Sequence, residues 1–362
     1  MRAGQRREEY MELNRREFLL TGAAGLALGR LAAATGAAKP VVSVVRIKND
    51  KIGSAVEEAI DLLGGMERIA KGKETILLKP NLVSTQREAT TKPEVIRTLA
   101  LLMQRAGKQV SIGEGSAAAA KFNVIGGEIF RTRKREILEP MQQYVFEQLG
   151  YAELGKTLRV PLVNLHCGEM AEVAVPGGFV YGKLTIRRAL AETDLLCSVP
   201  MMKTHQMATV TLGMKNLVGV FPGTVYQSIR GQMHDTAAKI EPTAASAVVV
   251  DMVRANKLGL VVVDGWMAME GNGPSNGKLV KMDVIVAGTN PVATDMVAAS
   301  LMGFEPREVP TFAWANKAGL LPTALDEIEV RGELIERARR AFAKPELVVW
   351  EKIRPYWAAR EI

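Results

Sequence analysis

The chain has 362 residues, a mass of 39.3 kDa and a formal net charge of +8, with 48% hydrophobic, 24% charged and only 5% aromatic residues. These proportions suit one large or two modest α/β units. They exclude a largely disordered chain and a stacking platform for single-stranded nucleic acid, which needs exposed aromatics among basic residues.

The charge is spread out. Residues 1–38 hold six arginines and four glutamates, which leaves +6 for the remainder, and the densest basic group is Arg131, Arg133, Lys134 and Arg135. A diffuse positive field attracts anions, whereas no recognition-helix or zinc-finger pattern points to nucleic acid. The two cysteines, Cys167 and Cys197, lie in apolar stretches. They are too few for an iron–sulfur cluster and are read as buried thiols or as one disulfide of an oxidising compartment.

Asn14-Arg15-Arg16-Glu17-Phe18-Leu19-Leu20, followed by TGAAGLALGRLAAATGAAKP, has the order of a twin-arginine export signal: an arginine pair, a mildly apolar Gly/Ala stretch, then small residues. The apolar run is broken by Arg30 and is too short to remain as a membrane span. Residues 1–38 are therefore read as a signal peptide, with the mature chain starting near Lys39 in the periplasm or another extracytoplasmic space. The translocase is then a transient partner.

Val41–Ile47 reads as a strand, and residues 51–64 as a helix with Ile52, Val56, Ala59, Ile60 and Leu63 on one face. A short strand over 74–80 ends in Lys79-Pro80-Asn81, so Lys79 and Asn81 sit at a strand's carboxyl end, where open parallel sheets bind ligands. Thr91-Lys92-Pro93-Glu94 has the form of a capping box with an early proline, opening a helix that runs to Gly107. The strand 109–112 then delivers Glu114. Strand, helix and strand in succession imply βαβ units and a largely parallel sheet flanked by helices.

Residues 136–149 read as helix, and 158–165 and 179–186 as strands about Pro176-Gly177-Gly178, forming a hairpin or a second, smaller layer. Residues 194–199 are a buried strand ending at Pro200. Residues 243–256 are a helix, and 258–263 a buried strand with Asp264 at its end. A glycine-rich loop follows with Glu270, Asn272 and Ser275, then a strand over 283–287 and a helix opened by Asn290-Pro291 that carries Asp295. The main α/β domain is placed over 39–330, undivided or in two lobes, and 331–362 is read as a helical tail without chemistry.

The stretch from Ser198 to Pro222, SVPMMKTHQMATVTLGMKNLVGVFP, sets Lys203, Thr204, His205, Lys215 and Asn216 into an apolar, glycine-punctuated run. Unpaired polar groups cost about 1–3 kcal/mol each when buried, so these side chains either bond to one another or face a ligand.

Three ordered motifs, LLKPNLVS…ATTKPEVI, VPMMKTH…TLGMKNLVGVFPG and DGWMAMEGNGP…AGTNPVATDMVAASLMGF, make the chain resemble the family known as domain of unknown function 362, over Val41 to Phe304. Many members of that family carry a ferredoxin-like module with two four-cysteine clusters; it is lacking here, so no such cluster is expected in this chain. By motif the resemblance carries over Lys79, Pro80, Asn81, Lys203, Thr204, His205, Lys215, Asn216, Glu270, Gly271, Gly273 and Asp295, with His234 at the place of a family histidine. The family's biochemistry is unassigned, so the resemblance implies a site rather than a reaction.

Lys79, Lys203 and Lys215, with Asn81 and Asn216 as amide donors, suit a carboxylate or phosphate. A lysine crowded by others has a depressed pKa and can act as a base or Schiff-base nucleophile. Thr204, Glu270 and Asn272 are further ligand candidates, the last beside a glycine loop whose N–H groups can cradle an anion. Glu114, Asp264 and Asp295 with His205 and His234 are candidate ligands of a divalent metal. Against that, Asp295 also reads as a first-turn helix acid and His234 as a structural histidine. His166-Cys167 is set aside as a catalytic pair because adjacent strand residues point to opposite faces.

The leading expectation is an exported enzyme using Lys203 and His205 as acid and base on a small anion, as in proton abstraction beside a carbonyl. The alternatives are a non-catalytic periplasmic ligand- or cofactor-binding protein and an accessory of a redox partner.

Overall fold

The structure is a computed structural model that describes residues 38–241, 244–355 and 357–362. The signal segment expected over residues 1–38 lies outside them but for Ala38.

The strands are, in chain order, β1 (Val41–Arg46), β2 (Thr75–Pro80), β3 (Gln109–Glu114), β4 (Val124–Ile125), β5 (Glu128–Arg131), β6 (Leu162–Asn164), β7 (Met170–Ala174) and β8 (Lys183–Arg187). They continue with β9 (Leu195–Val199), β10 (Met201–His205), β11 (Thr209–Val210), β12 (Leu258–Glu270), β13 (Lys278–Gly288), β14 (Glu329–Gly332) and β15 (Trp357–Glu361). One ten-stranded sheet runs β14-β1-β13-β12-β9-β2-β3-β6, with β10 on β12 and β11 on β10. The run β12-β9-β2-β3-β6 is parallel, while β13 is antiparallel to both β1 and β12, which makes the sheet mixed and mostly parallel.

Strand alternation sends side chains to two covered faces. Ile76, Leu78, Leu260, Val262, Ile285 and Ala287 pack with the helices Ile52–Leu62, Pro93–Arg105 and Arg135–Gln148. Val42, Val44, Val261, Val263, Val284 and Val286 pack on the opposite side with the helix Pro291–Leu301. Leu77 and Leu196, also on that side, meet the helix Ala244–Ala255. Because both faces are buried, the strands read as unbroken apolar runs.

Several elements differ from the sequence reading. β12 does not stop at Val263. It shifts register between Gly265 and Met267 and continues to Glu270, hairpin-paired with β13, so residues 265–270 of the expected glycine loop are strand. The hairpin about Pro176-Gly177-Gly178 exists, but its first strand is β7, and Tyr151–Leu158 is a helix. Thr91 does not form a capping box. Its hydroxyl donates to Val199 O at 2.6 Å and accepts from Asn81 N at 2.8 Å, tying the helix entry to the sheet rim instead. The tail is not a helical segment: it holds two four-residue helices, Ile335–Ala338 and Trp350–Ile353, and the strand β15, which lies parallel to β5. Among the described residues no helix is long and apolar enough to cross a membrane.

The small β7–β8 sheet is pinned by Asp251, a fully buried residue of the helix Ala244–Ala255. Its carboxylate accepts the backbone N–H groups of Phe179, Val180 and Tyr181 at 2.8, 2.8 and 3.0 Å. Asp251→Ala strips the acceptor from all three and is expected to lower the unfolding free energy by about 2–3 kcal/mol, read as a fall in the urea midpoint at unchanged slope.

Candidate functional site

The parallel strands carry their polar side chains to one rim, as open α/β sheets do. Lys79 is the penultimate residue of β2, Glu114 ends β3, and Lys203 and His205 lie on β10. The short helix Leu212–Asn216 adds Lys215 and Asn216, the turn Ser228–Arg230 adds Arg230, and the helix Gly231–Ala238 adds His234. All of them line one cavity of about 370 Å³.

At its floor Lys79 and Glu114 form a buried ion pair, with Lys79 Nζ 2.9 and 3.0 Å from the two carboxylate oxygens. Lys79 Nζ also donates to Pro80 O at 3.0 Å and Asn216 Oδ1 at 3.1 Å. Glu114 further accepts Leu82 N and Gly115 N, both at 2.8 Å. Burial lowers the Lys79 pKa from its ordinary value, and Glu114 opposes that shift. Gly219 covers the pair so closely that a Cβ there would run into Glu114 Oε1 and Lys79 Nζ.

The other cations are less well partnered. Lys203, with no exposure, donates to Ala89 O at 2.7 Å, and burial followed by the neighbouring Lys215 pushes its pKa down to about 7. Lys215 is 9% exposed and, among the described residues, its ammonium has no hydrogen-bond or ion-pair partner. Burial, then Arg230 and Lys79, lowers it to about 8. Arg230 donates to the carbonyls of Val218 (3.0 Å), Gly219 (2.9 Å) and Gly115, and burial lowers its pKa to about 10. Glu114 is the only carboxylate among the described residues lining the cavity.

His205 Nδ1 accepts Met207 N at 3.0 Å, which assigns the ring proton of the neutral tautomer to Nε2. Burial, with Lys215 and Lys203, holds its pKa well below the ordinary histidine value. His234 is likewise neutral, lowered to about 3 by burial and then by Lys215. It stacks on Trp350 with ring centroids 4.6 Å apart, and its Nδ1 is buried without a partner.

The structure corrects several expected roles. Asn216 does not donate to a ligand: its Nδ2 binds Lys79 O (3.1 Å) and Ser198 Oγ (3.0 Å). Asn81 Nδ2 is directed to Asn216 Oδ1 at 3.1 Å, leaving Asn81 Oδ1 buried and unpaired. Asn216 therefore positions Lys79 and Asn81 holds Asn216, both at the wall of the cavity. Thr204, Glu270 and Asn272 do not line the cavity, because strand alternation turns Thr204 to the β12–β13 tip, where it donates to Gly271 O at 2.7 Å. Glu270 accepts Ala343 N and Asn272 accepts Glu346 N, each at 3.0 Å, so both anchor the tail.

Nor do the five metal candidates converge. Asp264, carried within β12, accepts Lys92 N at 2.8 Å at the entry of the helix Pro93–Arg105. Asp295 accepts Gly213 N and Met214 N at 2.7 and 2.8 Å, capping the helix that presents Lys215. Among the described residues no three His, Cys, Asp or Glu side chains come together to hold a metal. His166 lies beyond β6 rather than on a strand. It bonds Ser116 O at 2.7 Å and Gly223 N at 3.0 Å, which makes it structural, and both cysteines are free and buried.

Arg230, Gly219 and Trp350 escaped the sequence reading. Arg230 follows Gln227 and Ile229, three non-glycine residues with φ between 51° and 66°. Such a left-handed turn has no periodicity, and a buried arginine looks like a surface one. Trp350, beyond the family motifs, offered only its size as a signal.

A family model described as domain of unknown function (DUF362) matches residues 76–300. The chain belongs to the DUF362 family. It is 28% identical over 291 residues, 79% of this chain and 81% of the relative, to the thylakoid-associated protein sll1697 of Synechocystis sp.. Among solved structures it is similar to the lactate racemase apoprotein from Thermoanaerobacterium thermosaccharolyticum, at 14% identity and a TM-score of 0.43, covering 73% of this chain and 57% of that one.

Removing one member of the floor pair leaves a buried charge without its counterpart. Glu114→Gln is expected to cost about 3–5 kcal/mol of stability and Gly219→Ala about 1–3 kcal/mol through overpacking, both read by urea unfolding. Lys203 titrates near 7 when folded and near 10.4 when unfolded, so the unfolded chain binds more protons between those values and stability rises with pH across that window. Lys203→Met should flatten the pH–stability curve there relative to the wild type.

Proposed function

We propose that this DUF362 protein is exported and binds a small carboxylate or phosphate compound in the rim cavity, acting on it by acid–base chemistry. The observation that carries the reading is the charge imbalance: Lys79, Lys203, Lys215 and Arg230 line a cavity with one carboxylate, and that carboxylate is already engaged by Lys79. Buried cations without counter-charge are costly, and an anionic ligand supplies the missing charge.

In this reading Lys215 contacts the anion and His205 donates to it through Nε2–H. Lys203, with a pKa of about 7, has a neutral amine available as a proton acceptor at physiological pH. Export is supported by the Arg15-Arg16 signal motif and by the thylakoid association named for its cyanobacterial relative. A second reading, binding without turnover, is favoured by the complete burial of Lys203 and its bond to Ala89 O, which aims the ammonium at the protein.

Anion binding should raise the pKa values of Lys215 and Lys203 and take up protons. Calorimetry of a panel of carboxylates and phosphate esters at pH 8, in buffers of different ionisation enthalpy, is expected to show net proton uptake, with affinity falling as pH rises above about 8. Lys215→Met should weaken binding at least tenfold; a panel that binds equally well to wild type and variant removes the anion site. In turnover assays on any bound compound, Lys203→Met should abolish reaction while binding and circular dichroism persist. Unchanged rates would assign the base elsewhere.

A further inference from the structure

The cations occupy only part of the cavity. The rest of its wall is largely apolar, with Val83 after β2, Ala118 and Ala119 after β3, Val124 and Ile129 of the β4–β5 hairpin, and Trp350 of the tail, while Ser84, Thr85, Gln86, Thr211, Ser275 and Asn276 add polar groups. None of the apolar set offers a side-chain hydrogen bond to the cavity, because the indole N–H of Trp350 is already given to Asp235 Oδ1 at 2.7 Å. The volume of about 370 Å³ is that of a pocket for a small organic molecule, room for roughly a dozen waters at about 30 Å³ each. Inorganic phosphate or acetate would leave most of it filled with water against largely apolar walls.

Building on the anion reading, we propose that the ligand is an amphipathic organic anion. Its carboxylate or phosphate head lies among Lys215, His205 and Arg230, and its aliphatic or aromatic body lies against the 118–119 loop, the β4–β5 hairpin and Trp350. Trp350 is then a ligand-contact residue. It is fixed for that role by its stack on His234 and by Asp235, which is itself held by Arg131 at 2.7 Å and Arg354 at 2.9 Å.

The test is a calorimetric series at constant head group with the full chain: acetate, butyrate, hexanoate and octanoate, and in parallel inorganic phosphate, butyl phosphate and hexyl phosphate. Affinity is expected to rise roughly fourfold per methylene until the cavity is filled, in whichever arm matches the natural head group. Val124→Asn, on the half-buried edge of the hairpin, and Trp350→Phe should each flatten that rise by about tenfold at the long end without changing the affinity of the shortest member. Equal affinity along both arms, still lost in Lys215→Met, overturns the amphipathic ligand and leaves the anion site standing. Chain-length dependence that survives Lys215→Met sinks the anion reading instead, and with it the placement of the head. Binding in neither arm overturns both.

Discussion

The Lys79–Glu114 ion pair is the constraint on which the site depends. It joins the ends of β2 and β3 with almost no exposure, and a pair so placed repays its desolvation only when every remaining donor and acceptor is met. Here they are met by Pro80 O, Asn216, and the N–H groups of Leu82 and Gly115. The same bonds fix the loops leaving both strands and the helix that presents Lys215. Stability and site geometry are thus one network, and the bare edge at Gly219 is what lets the chain close over it.

Around this floor Lys203 and Lys215 are held in a state between charged and neutral. Burial depresses Lys203 and Lys215 to about 7 and 8, so near physiological pH the free pocket carries less charge than its formula suggests. Such lysines gain charge when an anion arrives and lose it when the anion leaves, which is how a site can be attractive without being prohibitively unstable when empty. The neutral histidines fit the same logic, offering hydrogen bonds rather than more positive charge.

Much of this was legible in the chain. The βαβ order, the apolar runs of a doubly covered sheet and the position of Lys79 at a strand end follow from period-two patterning and proline punctuation. The motifs led to Lys203, His205 and Lys215, which do share a cavity with Lys79. What sequence could not supply was direction. Whether Asn81 and Asn216 donate outward or inward depends on the Asn216 carbonyl, which accepts from both Lys79 and Asn81, and Thr204 is separated from Lys203 by a single step of the pleat. Asp264 and Asp295 read as possible ligands because an acid at a strand end or helix start looks alike whether it awaits a metal or caps a neighbouring helix. The bulge at Gly265, which extends β12 by most of a hairpin arm, has no composition signal beyond the glycine itself.

The tail crosses the molecule in steps: Gly271 N–H to Ala343 O, Val348 N–H to Gln206 O, then Trp350 against His234 and β15 beside β5. One wall of the cavity is therefore contributed by residues that leave the ribosome after every other part of the pocket. A nascent chain can assemble the sheet and the ion pair while this wall is still missing. The cavity is consequently completed last, and changes that disturb residues 343–362 would alter its wall while sparing the core.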